Sequence, residues 1–326
     1  MVGKVTNDKK MSCSRLPNGM GVGLYGTPNE ELRYSLNAIA GKERDQFRTN
    51  EAMEWGNTLE AICLEVAAER LGCDRIITDH PNAYLHPTIA LEASVDAVVE
   101  FDKPTVIHTD PSKGIYVVGD SDSITLHGSG CGENKVTSFM PEDEPPLHRG
   151  PLQLQGQMLC TGMDWGFVTI LYRGIEQRTF LYRSHPKTMT AIKDFVADFE
   201  RRLHAETVEW YDVNETADLL AIYPEPVKEE PIALSDETIA LLHEYASLQQ
   251  TILRAEQTID AMQMHFQKVL GNASVATGDG FTLKWPMRNT RAQPEKVVPP
   301  KPATSKRQSK VSIKLPKGEI NVPSNS

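Results

Sequence analysis

The chain has 326 residues, 40% of them apolar and 24% charged, an ordinary balance for a soluble globular protein with room for one large domain or two modest ones. It contains no apolar run long enough to span a membrane, and MVGKVTNDKKMSCSRLPNG at its start lacks the apolar stretch of a secretory signal, so a cytoplasmic protein without membrane partners is expected. Cys13, Cys63, Cys73, Cys131 and Cys160 are odd in number and never in a C-x-x-C arrangement, which argues against a disulfide framework or a zinc site. His80 and His86 are six residues apart, a spacing that fits no standard zinc motif. The net charge of −10 is uneven: from Phe281 onward ten Lys and Arg face Glu295 and Glu319, a local charge of +8, which leaves −18 on residues 1–280. Nucleic-acid binding would therefore need local sites, bound cations or the tail rather than bulk charge.

In chain order, Asn50 is a candidate N-cap for a helix from about Glu51 to Leu71, with Leu59, Ile62, Cys63, Val66 and Ala67 as its apolar stripe and Glu60 at the stripe's edge. PTIALEASVDAVVEF and GIYVVGDSDSITL alternate apolar and polar residues as strands do, and GENKVTS continues the pattern. GPLQLQGQMLCTG has helical spacing, WGFVTILYR and RTFLYR supply two more strands, and PKTMTAIKDFVADFERRLHAE a further helix. This succession describes a mixed α/β (α+β) domain over residues 1–222. Trp55 and Trp165 are expected in its core rather than as base-stacking platforms.

The proline- and acid-rich YPEPVKEEP marks a join, placed at residues 223–234, to a helical arm at 235–289. Ser235 caps that arm, Asp236 and Glu237 stand in its first turn and Gly271 closes it. Tyr245, Leu248, Ile252, Ala255, Ile259, Met262, Phe266 and Val269 follow steps of three and four, a heptad seam that predicts a coiled coil with another chain or folded back on this one. DGFTLKW reads as a short strand. Residues 290–326 are rich in proline, lysine and serine and are expected to be a disordered basic tail, either a solubilising extension or a loose phosphate binder.

Candidate chemistry centres on GCGENKVTS. In a strand, positions i and i+2 share a face, so Glu133 and Lys135 project together. Alone, such a pair is a solvated ion pair worth at most ~1 kcal/mol. Glu60 on the helix and Asp96 on a strand could join it, and three gathered carboxylates repel one another unless a hard divalent cation such as Mg²⁺ holds them. A lysine beside such an ion suits phosphodiester hydrolysis.

EWGNTLEAI, HPTIALEASVDAVV, GENKVTS and LQLQGQMLCTG, in this order, together resemble the YqaJ-like viral recombinases, relatives of phage lambda exonuclease in the PD-(D/E)XK nuclease superfamily; SCSRLPNGMGVGLYGTPNEELRYSL also looks like that family's opening segment. The resemblance spans about residues 12–285 and implies a restriction-endonuclease-like core, a mixed central sheet flanked by helices. It implies a Mg²⁺-dependent exonuclease, with Mn²⁺ a possible substitute, that digests double-stranded DNA ends from the 5′ side during viral or prophage recombination. A single-strand annealing protein and a homo-oligomer are the implied partners. By position, Glu60, Asp96 and Glu133 would be metal ligands, with the carbonyl of Asn134 or Val136 a further one, Lys135 the catalytic lysine, Gln153 and Gln155 the helix glutamines that arrange lysine, water or phosphate, and Ser14 and Arg15 contacts to DNA. An endonuclease or Cas4-like enzyme, or an inactive DNA-binding scaffold, is the alternative; the latter would keep the coiled coil and lose the metal. This sequence departs from the family in Ala97, where glycine usually follows the aspartate, and in Gly156 and Gln157, where a tyrosine is usual. Thirty-six residues intervene between Asp96 and Glu133, an apparent inserted hairpin that makes Asp122 the rival ligand, with Asp96 preferred.

Overall fold

The computed structural model describes residues 6–42, 51–78, 82–225 and 231–287. It divides into two units at Pro224 and Glu225, inside the proline- and acid-rich join. In chain order the first unit holds β1 (Met11–Ser12), α1 (Leu16–Gly19), α2 (Pro28–Ile39), α3 (Glu51–Leu71), β2 (Arg75–Thr78), β3 (Tyr84–Leu85), β4 (Leu91–Ala93), β5 (Ala97–His108), β6 (Ile115–Val117), β7 (Ser123–Thr137), α4 (Pro151–Thr161), β8 (Trp165–Tyr172), β9 (Glu176–Arg183), α5 (Pro186–Leu203) and α6 (Thr216–Ile222). Asn50 and His80 lie outside the described residues, as does the tail from residue 288.

Six strands form the main sheet in the order β2-β5-β7-β8-β9-β6. β7 and β8 run parallel, as do β9 and β6, and the other neighbours are antiparallel, so the sheet is mixed. Alternation along each strand supplies two apolar faces. On one, Leu64, Ala67, Ala68 and Leu71 of α3 pack on Ala97, Val99, Phe101, Trp165 and Phe167. On the other, Leu154 and Met158 of α4 pack on Cys131, Val168, Ile170 and Phe180. The stripe of α3 is therefore rotated from the expected one: Ile62 is exposed, and so is Trp55, whereas Trp165 is fully buried. The helix meets the sheet only through its C-terminal half, so apolar spacing in its first turns does not report burial.

Two glycines let the layers close. A Cβ at Gly130 would stand 2.5 Å from the ring of Trp165, and one at Gly132 would stand 2.7 Å from Phe167. β7 thus lies bare on its α3 face where the aromatic side chains of β8 cross it.

The long insertion extends the antiparallel β5–β7 pair as a hairpin would, and its connection also carries β6, which pairs with β9 at the far edge of the sheet. β5 and β7 pair from Ala97–Gly132 to Phe101–Gly128, slip between Phe101 and Thr105, and pair again to His108–Ser123. Gly128, at φ 68°, occupies the left-handed region at the slip. Asp122 lies at the tip, where its carbonyl accepts from Thr109 N–H at 2.8 Å.

The second unit consists of α7 (Asp236–Leu270) and a hairpin of β10 (Val275–Gly278) and β11 (Phe281–Lys284). Ser235 accepts a hydrogen bond from Thr238 N–H at 3.2 Å and Gly271 closes the helix, as its sequence signals predict. Asp279 and Gly280 both have positive φ, 46° and 79°, which is the requirement of a two-residue hairpin turn. Among the described residues no helix is long and apolar enough to cross a membrane.

Candidate active site

The site lies on the α4 face of the sheet. Cys131 packs beneath α4, and alternation puts Glu133 and Lys135 on the same face. Ala97 pairs with Gly132, so one further step brings Asp96 across from Glu133 on the neighbouring chain segment. Asp96 Oδ2 accepts from the backbone N–H of Asn134 at 2.9 Å, which fixes its carboxylate against β7.

Glu133 is 1% exposed and Lys135 32%. The Lys135 ammonium donates to Glu133 Oε1 and to Gln153 Oε1, the latter at 3.1 Å. Gln157 Nε2 donates to the other oxygen, Glu133 Oε2, at 2.6 Å and to the carbonyl of Ser94 at 2.9 Å. Each carboxylate oxygen of Glu133 therefore has its own donor, and both donors are steered by α4 or borne on it.

The acids feel one another. Desolvation, with the charges of Glu133 and then Glu60 behind it, pushes the Asp96 carboxyl well above the ordinary aspartate value, against the pull of Lys135 and the Asn134 N–H. For Lys135 burial works downward, but the Glu133 and Asp96 carboxylates outweigh it, with Glu60 adding to them, and hold the ammonium above the usual lysine range. α3 thus brings Glu60 within electrostatic reach of residues on β7 and at the start of β5. Burial pushes the Cys131 thiol up to about 12, so it is a protonated core side chain and no nucleophile.

Two residues named from sequence have other hydrogen-bond partners, Gln155 and Arg15. Gln155 is turned away from Lys135: its Nε2 donates to the Arg183 carbonyl at 2.9 Å and its Oε1 accepts from His185 N–H at 2.8 Å. It ties α4 to the junction of β9 and α5. Positions two apart on a helix point about 200° apart, so Gln153 and Gln155 cannot serve one site, whereas Gln153 and Gln157, one turn apart, do. The sequence signal for Gln157 is its place four residues after Gln153. Arg15 is 9% exposed, and its guanidinium is taken by Glu31 at 2.5 Å, the Lys10 carbonyl at 2.8 Å and Ser35 Oγ at 3.0 Å, with Tyr34 stacked on it. It is a structural clamp between the N-terminal segment and α2, with no donor turned outward to a phosphate. Beside it Ser14 is exposed and shares a hydrogen bond with Ser12 Oγ at 3.2 Å.

Asp122 sits at the far end of the strand that carries Glu133, roughly 35 Å away along eleven residues of extended chain. It is exposed and outside the cluster. Asp96 is the aspartate that meets Glu133.

Whether a metal suits these residues is a question of donors and charge. Among the described residues no three His, Cys, Asp or Glu side chains are drawn together as a preset ion cage. The fit rests instead on Asp96 and Glu133, two oxygen donors from facing segments, with Glu60 within electrostatic reach and one ammonium for three carboxylates. Mg²⁺ binds through one or two carboxylates while keeping several waters, and an excess of carboxylate charge in a desolvated place is what it offsets.

No family model and no curated protein matches the sequence. Solved structures similar to it include an alkaline exonuclease, LHK-Exo, from Laribacter hongkongensis, 19% identical over 61% of this chain and 90% of that chain at a TM-score of 0.42, and the same enzyme in complex with dAMP at 0.43. A phage-related exonuclease from Haemophilus somnus 129PT is 12% identical over 59% of this chain and 92% of that chain, at a TM-score of 0.37.

Proposed function

We propose that the protein is a Mg²⁺-dependent deoxyribonuclease of the lambda-exonuclease type, acting on the ends of double-stranded DNA from the 5′ side and exposing single strands for recombination. The observation that carries the chemistry is the arrangement around Glu133: Asp96 across from it, Lys135 on one oxygen and Gln157 on the other. The motif order supports the choice of DNA ends as substrate.

In this reading Asp96 and Glu133, helped by Glu60 and a backbone carbonyl of Asn134 or Val136, hold the ion. When bound, the ion supplies a Lewis acid for a phosphodiester, and Mn²⁺ can replace it. The chain does the rest. Asn134 N–H orients Asp96, and Gln157 fixes Glu133 so that its free lone pairs face the site. The Lys135 ammonium, steadied by Gln153, donates to a phosphoryl oxygen as negative charge develops there. A single-strand annealing protein is the functional partner in this reading, since the exposed strand must be held for pairing.

The test is incubation of the purified chain with linear and covalently closed duplex DNA, with Mg²⁺, Mn²⁺ or EDTA, and with label at either 5′ or 3′ ends. Metal-dependent loss of linear DNA alone, with early release of 5′ label, is expected. Cutting of closed circles would make it an endonuclease, and absence of cleavage with either ion would make it a scaffold.

A further inference from the structure

We propose that Gln177 is a positioning residue for Glu60: its side-chain amide ties α3 to the sheet one turn from that carboxylate and so sets how Glu60 reaches toward Asp96 and Glu133. The inference rests on the metal reading above and adds to it a residue outside the ion's own donors. The buried residues of α3 are Cys63, Leu64, Ala67, Ala68 and Leu71. Apolar contact is non-directional, and two alanines in the middle of it leave a smooth strip on which a helix can turn or slide. Glu60 needs closer definition than that. It stands where the overhanging half begins, in the row Glu60, Cys63, Ala67 and Arg70, whose steps of three and four keep one face. Rotating α3 by one residue, about 100°, would swing Glu60 away from Asp96 and Lys135, both of which feel its charge.

Gln177 supplies the directional part. Its Nε2 donates to the Cys63 carbonyl at 2.7 Å and to Thr169 Oγ1 at 2.8 Å, which uses both amide hydrogens. Its own backbone carbonyl accepts from Arg70 Nη1 at 3.2 Å. One residue of β9 thus grips α3 at Cys63 and at Arg70, two turns apart, and Glu60 is the next residue of that row toward the site.

The sheet end of the tie is equally fixed. Thr169 Oγ1 and Thr179 Oγ1 share a hydrogen bond at 3.1 Å, and both side chains are fully buried. Alternation puts them on the α3 face with Phe167 and Leu181. Thr169 is in register with Asn134, the residue between Glu133 and Lys135. The tie therefore joins α3 to the level of β7 that carries the acid and the lysine. A hydrogen-bonded polar row inside an apolar interface is costly to desolvate and adds little net stability, but it admits one arrangement of the helix out of several.

The test is calorimetric titration of the full-length, DNA-free protein with Mg²⁺ alone, beside thermal melts without the ion. Gln177→Met keeps the length of the side chain and removes both donors. It is expected to weaken Mg²⁺ binding about tenfold, the lower end of the range for residues behind metal ligands, and Gln177→Ala should act in the same direction. Thr179→Val removes a hydrogen bond of the same row without touching the Cys63 tie, so it should lower the melting temperature and leave Mg²⁺ affinity unchanged. In a Glu60→Gln background, itself weaker for Mg²⁺ than wild type, Gln177→Met should add no further loss of affinity. If Glu60→Gln weakens binding and the Gln177 variants do not, or if the two losses add in full, the inference is overturned while the metal reading stands. Equal weakening by Thr179→Val would mark a general loosening of the interface and overturn it too. If wild type binds no Mg²⁺, or Glu60→Gln binds as wild type does, the reading of Glu60 as a ligand falls and takes the inference with it.

Discussion

Gln157 and Lys135 hold the two oxygens of one carboxylate: Nε2 of the first reaches Glu133 Oε2 at 2.6 Å while the ammonium of the second takes Oε1. A buried acid is thereby fixed in orientation by a neutral donor from the helix and a charged one from its own strand. Removal of either charged partner should stop catalysis without unfolding the protein. Glu133→Gln and Lys135→Met are each expected to lower kcat at least about 10²-fold to 10³-fold, the range for loss of one electrostatic stabiliser, with the circular dichroism spectrum unchanged. Full activity in Lys135→Met would remove the lysine from the mechanism.

The two glutamines of α4 should separate cleanly. Gln157→Leu frees one oxygen of Glu133 and is expected to raise the Mg²⁺ concentration for half-maximal rate by about 10- to 100-fold, as loss of an outer-shell partner does. Gln155→Leu strands the Arg183 carbonyl and the His185 N–H and should cost about 1–3 kcal/mol of stability, with the metal dependence unchanged. Parallel urea melts and Mg²⁺ titrations of the two variants distinguish these outcomes.

Asp96 carries a stability signature. Its folded-state carboxyl titrates above the unfolded value, so the metal-free protein is favoured with this group protonated, fully so below the unfolded pKa. That contribution is lost as pH rises from the unfolded aspartate value toward the raised folded one. Asp96→Asn removes the titration and can still accept the Asn134 N–H, so it should melt higher than wild type at pH 7 without metal and lose the difference near pH 3. Mg²⁺ should raise the melting temperature of wild type and not of the variant. Differential scanning fluorimetry across pH, with and without the ion, reads both effects; a variant less stable than wild type at pH 7 would contradict them.

Asp122→Ala, at the hairpin tip, is expected to leave cleavage within about twofold and stability within about 0.5 kcal/mol, the range for surface changes. Loss of cleavage there would move the metal site to the wrong end of β7.

Arg15→Ala should destabilise by about 1–3 kcal/mol, because Glu31, half-buried, loses its ion partner and the Lys10 carbonyl and Ser35 Oγ lose their donor. Its DNA affinity, measured below the unfolding temperature, should match wild type.

The sequence disclosed most where local pattern and tertiary use coincide. α4, α5 and α7 and the strands around Glu133 follow from alternation, capping and apolar spacing, and the pairing of Glu133 with Lys135 follows from strand geometry alone. What escaped was decided by contacts between distant segments. α3 overhangs the sheet, so its early apolar positions, Trp55 and Ile62, stay in water. Arg15 looks like a free cation until α2 folds against it and supplies Glu31. β10 is short and half polar and was not expected; only its partner, in DGFTLKW, was read as a strand. Of the two glutamines named by spacing only Gln153 meets Lys135, since a motif names positions whereas a helix of 3.6 residues per turn decides which of them look the same way.

Gly130 and Gly132 give the face of β7 that carries Glu133 and Lys135 a hidden dependence on the opposite side of the sheet. An alanine at either would collide with Trp165 or Phe167 and force β7 away from β8, carrying the acid and the lysine off their partners. Screens that vary only solvent-visible positions would miss this; here two places where the protein has no side chain to lose cannot accept one.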